Sequence, residues 1–133
     1  MKAAGLIGGV VAAAVGFVFL LSSGKGERAE SLRTDGSPIR VEVLNGSGES
    51  GAGLILAEEL RDVGFDVVAI GNARRFDYER TLVLDRVGQP EYARRVASAL
   101  GVEPSVQQRN TDILLDVTVI LGKDRATARK EGA

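Results

Sequence analysis

The chain has 133 residues, which is enough for one folded domain and too few for a large multidomain enzyme. Its 17 basic and 18 acidic side chains nearly cancel, so the sequence lacks the strong positive charge that marks nucleic-acid-binding domains. The absence of Cys and His excludes disulfides and thiolate nucleophiles, and it removes the commonest zinc ligands and general base. We therefore predict no enzymatic activity, no metal, no cofactor and no nucleic-acid partner.

The amino terminus predicts a membrane anchor. Residues 3–21 carry no polar or charged side chain, and a helix of this length rises about 1.5 Å per residue, enough to cross a hydrocarbon core of about 30 Å. A cleavable signal peptide has a shorter apolar region of about 7 to 15 residues, although small residues at Ser22 and Gly24 leave cleavage open. Charge alone does not fix the topology, because basic residues lie on both sides. The very short amino-terminal tail favours a single-pass protein of the cytoplasmic membrane with an extracytoplasmic carboxyl-terminal domain.

The sequence divides into a transmembrane anchor over residues 1–21, a flexible linker over 22–37, a folded domain over 38–124 and a disordered tail over 125–133. The linker is rich in Gly and Ser and has no apolar period. Gly5 and Gly9 form a G-x-x-x-G spacing, which lets two helices approach closely. A homodimer through the anchor is one interpretation of this spacing, and the general abundance of Gly and Ala in the segment is the other.

The folded part repeats a pattern of strand, loop, helix, Gly and strand. Ile39, Val41 and Val43 alternate with charged residues, as in a half-buried strand. Further segments complete the pattern, namely a helix ending at Gly64, a strand ending at Gly71, a strand over 81–85, a helix starting at Pro90, a weak strand over 105–108 and a last strand from Asp116. We predict an α/β two-layer sandwich in the order β-α-β-β-α-β-β, with a mixed sheet of four to five strands and two helices on one face.

The loop after the first strand reads "NGSGESGAG" and contains a literal G-x-G-x-x-G. A dinucleotide site also needs an acidic residue after the second strand, and a P-loop needs Lys followed by Ser or Thr; both are missing. A small nucleotide-binding protein therefore stays only a weaker alternative. The loop is either a site for an anion or a sugar hydroxyl, formed by Asn45, Gly46, Ser47 and Gly48, or a tight turn with Ser50 capping the helix.

A second loop, "NARRFDYER", interleaves arginines with aromatic residues. Arginine binds phosphate or carboxylate groups in a forked geometry, and an aromatic face can stack on a sugar ring. The candidate binding residues here are Asn72, Arg74, Arg75, Phe76, Tyr78 and Arg80. The alternative is a solvated loop in which Phe76 packs at the core edge and Arg75 pairs with Asp77 or Glu79.

Several short motifs resemble the LytR C-terminal domain family. The most specific are Val43-Leu44-Asn45-Gly46, Gly64-Phe65, Gly71-Asn72-Ala73, Thr81 and Leu121-Gly122-Lys123-Asp124. The resemblance spans residues 39–124 and departs from the family after the third strand, where a common Tyr is replaced by Asp85 or Arg86. It implies an accessory or binding module of the cell envelope without the LytR-CpsA-Psr catalytic domain.

The resemblance implies that the partner is a cell-wall polymer or an envelope protein, such as a transferase of the LytR-CpsA-Psr type. The duplicated strand-helix-strand pattern is also compatible with a peptidoglycan-binding module like the sporulation-related repeat (SPOR). The last strand and the "VLNGSG" loop favour the first interpretation.

Overall fold

The computed structural model describes residues 30–103 and 114–126. Its helices and strands are β1 (Arg40–Asn45), α1 (Ala52–Asp62), β2 (Asp66–Asn72), β3 (Leu82–Asp85), α2 (Pro90–Leu100) and β4 (Val117–Leu121). The predicted anchor and the weak strand predicted over 105–108 lie outside the described residues. Within the described ranges, no helix is long and apolar enough to span a bilayer.

The strands form one four-stranded sheet in the order β2-β1-β4-β3. β1 runs parallel to both β2 and β4, whereas β3 is antiparallel to β4. The predicted α/β class and mixed sheet are thus confirmed. The alternation predicted for the first strand is also present. Val41 and Val43 are fully buried, whereas the intervening Glu42 and the preceding Arg40 are partly exposed.

The core lies between one face of the sheet and the two helices. Valines of β1, β3 and β4 form a single apolar cluster with the buried faces of both helices, which are Leu56, Ala57 and Leu60 on α1 and Tyr92, Ala93, Val96, Ala97 and Leu100 on α2. Each fully buried aliphatic side chain contributes about 1.5–3 kcal/mol to folding. Pro90 occupies the first turn of α2, and Gly101 ends the helix in the left-handed conformation with φ 70°.

The parallel strands bring their carboxyl ends to the same edge of the sheet. The Cα atom of Asn45 is in register with those of Asn72 on β2 and Leu121 on β4. The segments that follow these three strands, residues 46–51, 73–81 and 122–126, therefore leave from neighbouring points; we call them the carboxyl-edge loops. In open α/β sheets, ligands bind in the crevice outside the carboxyl ends of parallel strands.

The end of the predicted linker differs from the structure. Ser31 is buried and accepts a hydrogen bond from the Ile39 amide at 2.8 Å, and Arg95 Nη1 donates to the Leu32 carbonyl at 2.7 Å. Leu32 also bridges to Pro38. Residues 31–34 thus contact the domain, because their polar groups find partners on α2 and on Asp116 just before β4 that no local sequence pattern reveals.

The predicted start of the disordered tail also differs. Residues 123–126 form one helical turn. Arg125 Nη2 pairs with Glu59 Oε2 on α1 at 2.7 Å, and its Nε donates to the Leu100 carbonyl at 3.2 Å. Arg125 joins the side of α1 to the last residue of α2, so the folded domain extends at least to Ala126.

Candidate functional site

The glycine loop is held in place by its own first residues. Asn45 Oδ1 accepts hydrogen bonds from the Ser47 amide at 3.1 Å and from Ser47 Oγ at 2.7 Å. The Asn45 Nδ2 group donates to the Glu49 carbonyl at 2.8 Å, and Ser47 Oγ accepts from the Glu49 amide at 3.1 Å. Because Asn45 and Ser47 are buried and bonded within the loop, they fix the turn.

Gly46 connects the carboxyl-edge loops. Its amide donates to the Leu121 carbonyl at 2.9 Å, and its carbonyl accepts from the Tyr78 amide at 3.1 Å. A Cβ atom at this position would lie 2.5 Å from Tyr78 Cδ2 and 3.2 Å from the Leu121 carbonyl oxygen. Glycine is therefore required here for close packing of three chain segments.

The structure does not support Ser50 as the cap of α1. The cap position is Gly51, which has φ 78°, and no side chain makes a capping hydrogen bond. The backbone amides of Gly46, Ser47 and Glu49 already donate within the protein. A phosphate cradle needs a ring of unengaged backbone amides. Because these three amides are already bonded within the protein, the structure weighs against the nucleotide alternative.

In the arginine-rich loop, Arg75 and Phe76 are arranged differently. Arg75 is engaged, because its Cζ lies 4.5 Å from the centre of the Tyr78 ring and its Nε lies 3.4 Å from Asp77 Oδ1. The predicted pair between Arg75 and Asp77 is thus present. Phe76 keeps 51% of its surface exposed, so the alternative in which it packs at the core edge is not what the structure shows. Because backbone hydrogen bonds at Tyr78 hold this loop in place, the half-exposed ring of Phe76 is available to a ligand.

The guanidinium groups of Arg74 and Arg80 make fewer contacts than that of Arg75. Both side chains are exposed, and neither guanidinium forms an ion pair or hydrogen bond with any residue in the described ranges. The Arg80 carbonyl group packs so closely on Gly122 that a Cβ there would overlap it. The Arg80 backbone is therefore fixed, and both guanidinium groups face solvent.

A clamp between Thr81 and Asp124 closes the loop. Asp124 Oδ1 accepts from the Thr81 amide at 3.0 Å and from Thr81 Oγ1 at 2.8 Å. Thr81 Oγ1 in turn accepts from the Gly122 amide at 3.0 Å, while the Lys123 amide donates to the Tyr78 carbonyl at 2.8 Å. Residues that carry the family resemblance in this region thus serve to join the loops.

A cleft lies between the first two carboxyl-edge loops. Its volume is about 260 Å³, just below the range of about 300–1,000 Å³ typical of drug-sized ligand pockets. The lining residues are Asn45, Gly48, Glu49, Ser50, Asn72 and Phe76. Of these, Glu49 and Ser50 were not predicted as binding residues, although both belong to the glycine loop. We call this cavity the carboxyl-edge cleft.

The predicted binding residues therefore separate into three groups. Asn45, Gly48, Asn72 and Phe76 line the cleft. Gly46, Ser47 and Tyr78 build the loops around it, and the arginines lie outside the lining, in the same loop as Phe76. Because Glu49 is the one charged residue that lines the cleft, the cavity is suited to an uncharged or cationic group, and anionic groups are better placed on the arginines.

Comparison with known proteins gives the family. The family model described as "LytR cell envelope-related transcriptional attenuator", LytR_C, matches residues 38–124. The chain belongs to the LytR_C family. The match covers the six helices and strands of the described residues and both loops that form the cleft. The cell-envelope association expected from the sequence motifs is therefore supported at the level of the family.

Two solved structures are similar to this LytR_C chain. One is the soluble domain of a conserved hypothetical secreted protein, an Rv2700 ortholog from Mycobacterium marinum, with 23% identity, a TM-score of 0.50 and coverage of 76% of this chain and 69% of that one. The other is the C-terminal domain of RV0431, with 27% identity, a TM-score of 0.44 and coverage of 69% and 78%. A search of curated proteins found no match.

Proposed function

We propose that this LytR_C protein is a non-catalytic binding module that acts outside the cytoplasmic membrane in assembly or regulation of the cell envelope. Its ligand in this proposal is an anionic wall polymer, bound at the carboxyl-edge cleft. The observation that carries the proposal is the half-exposed ring of Phe76, which lines the cleft two residues from the solvent-facing guanidinium of Arg74.

The cleft suits the sugar rings of an anionic polymer, and the neighbouring Arg74 suits its charged groups. The face of Phe76 can stack on a sugar ring, and the exposed amide of Asn72 can exchange hydrogen bonds with its hydroxyl groups. Arg74 offers a forked donor for phosphate or carboxylate. Glu49 repels an anion from the cavity itself, so the charged group of the polymer is expected on the arginine side.

The family and the amino-terminal sequence support the location in this proposal. The family description refers to the cell envelope. The apolar stretch over residues 3–21 is long enough to anchor the chain in a bilayer, which would display the domain beside the wall. Envelope proteins, including transferases of the LytR-CpsA-Psr type, are the alternative partners.

The proposal is tested by binding of the purified protein to isolated cell wall, before and after chemical removal of the anionic polymers. We expect binding to require the polymers and to fall about tenfold in Phe76→Ala and Arg74→Ala, because each change removes a contact of about 1–2 kcal/mol. Arg94→Ala is the matched control, since Arg94 is an exposed arginine on α2 that pairs with Glu91 outside the cleft.

Three other results would contradict the proposal. Equal loss of binding in all three variants would indicate nonspecific charge attraction. Binding that survives polymer removal and requires bare glycan strands would favour the peptidoglycan-binding alternative. No wall binding in any state would transfer the function to an envelope protein partner.

A further inference from the structure

The carboxyl-edge cleft combines one carboxylate with one half-exposed aromatic ring. Glu49 is exposed and is the one charged residue that lines the cleft, and Phe76 lines it as well. The loops that carry these two side chains are in contact, because a Cβ at Gly48 would lie 3.2 Å from the Phe76 carbonyl oxygen and 3.8 Å from Phe76 Cβ. A cavity of about 260 Å³ therefore brings a negative charge and an aromatic ring within reach of one small group.

The glycine loop uses several of its hydrogen-bond donors internally. The Ser47 amide and hydroxyl donate to Asn45 Oδ1, the Glu49 amide donates to Ser47 Oγ, and Asn45 Nδ2 donates to the Glu49 carbonyl. The Glu49 carboxylate, in contrast, can only accept, and the Ser50 hydroxyl and the Asn72 amide oxygen are further acceptors of the lining. The cleft is therefore suited to a ligand group that donates hydrogen bonds.

We propose that the group bound in the carboxyl-edge cleft is an ammonium group, carried by an amino sugar of the wall polymer. This inference rests on the proposed function, in which a sugar stacks on Phe76 and an anionic group lies at Arg74. A protonated amine supplies three donors and a positive charge, so it pairs with the Glu49 carboxylate and is attracted to the face of the Phe76 ring. A neutral hydroxyl group also donates, but it gains much less from the carboxylate charge and from the ring.

A metal ion fits the cleft less well than an ammonium group. Calcium takes about six to eight oxygen ligands and magnesium requires an octahedral set, whereas a single carboxylate lines this cleft. Within residues 30–103 and 114–126, no group of three acidic side chains that could hold a metal ion occurs. One carboxylate beside an aromatic ring is instead a common arrangement for binding an organic cation. The polymer expected here therefore carries amino groups and anionic groups together.

Soluble sugars test the ammonium site without the wall. The full-length protein in detergent is titrated with glucosamine, N-acetylglucosamine and glucose at about pH 6, where an amino group is protonated, and binding is followed by NMR. We expect glucosamine to bind about three- to tenfold more tightly than the two neutral sugars, and Glu49→Gln to abolish this preference. Glu58→Gln is the matched control, because Glu58 is an exposed acid on α1 that pairs with Arg61 and does not line the cleft. The inference is overturned by equal binding of the three sugars, by a preference that survives Glu49→Gln, or by one that Glu58→Gln abolishes as well.

Acetylation of isolated cell wall separates this inference from the proposed function. The reaction neutralises amino groups and leaves phosphate and carboxylate groups charged. We expect wild-type binding to fall about three- to tenfold on acetylation, and Glu49→Gln to bind acetylated and untreated wall equally. Binding that requires the anionic polymers and Arg74 but does not respond to acetylation overturns the ammonium site and leaves the proposed function standing. Absence of wall binding in every state overturns the proposed function, and the sugar titration then still decides whether the cleft binds an ammonium group.

Discussion

Arg33 and Asp116 stand 83 residues apart in the sequence, and their side chains meet at 3.4 Å. Asp116 is almost completely buried and also accepts a hydrogen bond from the Arg40 amide at 2.9 Å. One carboxylate thus fixes the segment that enters the domain, the start of β1 and the start of β4. The ion pair lies at the edge of the sheet opposite to the carboxyl-edge cleft, since β1 and β4 both begin there.

Replacement of Asp116 by Ala should destabilise the domain by about 1–3 kcal/mol, because the partly buried Arg40 amide would lose its acceptor and Arg33 its counter-charge. Urea denaturation measures the change. Asp62→Ala is the control, since Asp62 is an exposed carboxylate at the end of α1 and we expect a change below about 0.5 kcal/mol. Unchanged stability of Asp116→Ala would contradict a stabilising role for the bonds of this carboxylate to Arg33 and Arg40.

A fragment that starts at Pro38, where the family match begins, should be less stable than one that starts at Glu30. The shorter fragment loses the buried Ser31, the bond from Arg95 to Leu32 and the contact of Thr34 with the Tyr92 hydroxyl at 3.2 Å. For a domain of this size, each kcal/mol lost lowers the Tm by roughly 4–8 °C. Equal melting temperatures of the two fragments would contradict the assignment of residues 31–37 to the domain.

Gly46→Ala should cost about 1–3 kcal/mol, since the new methyl group would overlap the Tyr78 ring and press on the Leu121 carbonyl. Gly71→Ala provides the comparison. A Cβ at Gly71 would meet only Leu44 Cδ2, at an ordinary 3.6 Å, and its φ is not in the left-handed region. Chemical denaturation of the two variants should therefore give clearly different midpoints, and similar midpoints would contradict close packing at Gly46.

Thr81→Val keeps the shape of the side chain and removes its hydroxyl. The Asp124 carboxylate then loses a donor and the Gly122 amide loses its acceptor, so we expect a loss of about 1–3 kcal/mol. Ser50→Ala should be nearly neutral, because Ser50 is exposed and does not cap α1. Thermal melting compares the two. A larger loss for Ser50→Ala would restore the capping role.

Glu91 gives a pH-dependent prediction. The hydrogen bond from Arg94, together with the charges of Arg94 and Arg95, lowers the pKa of the Glu91 carboxyl below its usual value. A lowered folded-state pKa means that the stabilisation is present above the unfolded-state pKa and is lost as the pH falls through the folded-state value. Glu91→Gln should therefore make stability less dependent on pH in the acidic range below about 4.3. Denaturation curves at several pH values measure this, and an unchanged acid profile would contradict it.

The accuracy of the sequence-based predictions depended on how local the determining interaction is. α2 was predicted to start at Pro90 and end before Gly101, because proline and glycine act on their own backbone. The boundary of the predicted linker was wrong because Ser31 and Arg33 are held by residues distant in sequence. Phe76 was a candidate for binding or for packing, and only the folded loop showed that its ring stays half-exposed.

The sequence by itself determined the α/β class, the alternation in β1, the apolar faces of both helices and the membership of the family, since all of these arise from periodicity and short motifs. Only the tertiary structure decided what the motif residues do. Asn45, Gly46, Thr81 and Asp124 hold the carboxyl-edge loops together, whereas Phe76 and Arg74 remain open to solvent. The physical reason is that a side chain's availability depends on which distant segments pack against it, and parallel strand pairing sets those neighbours.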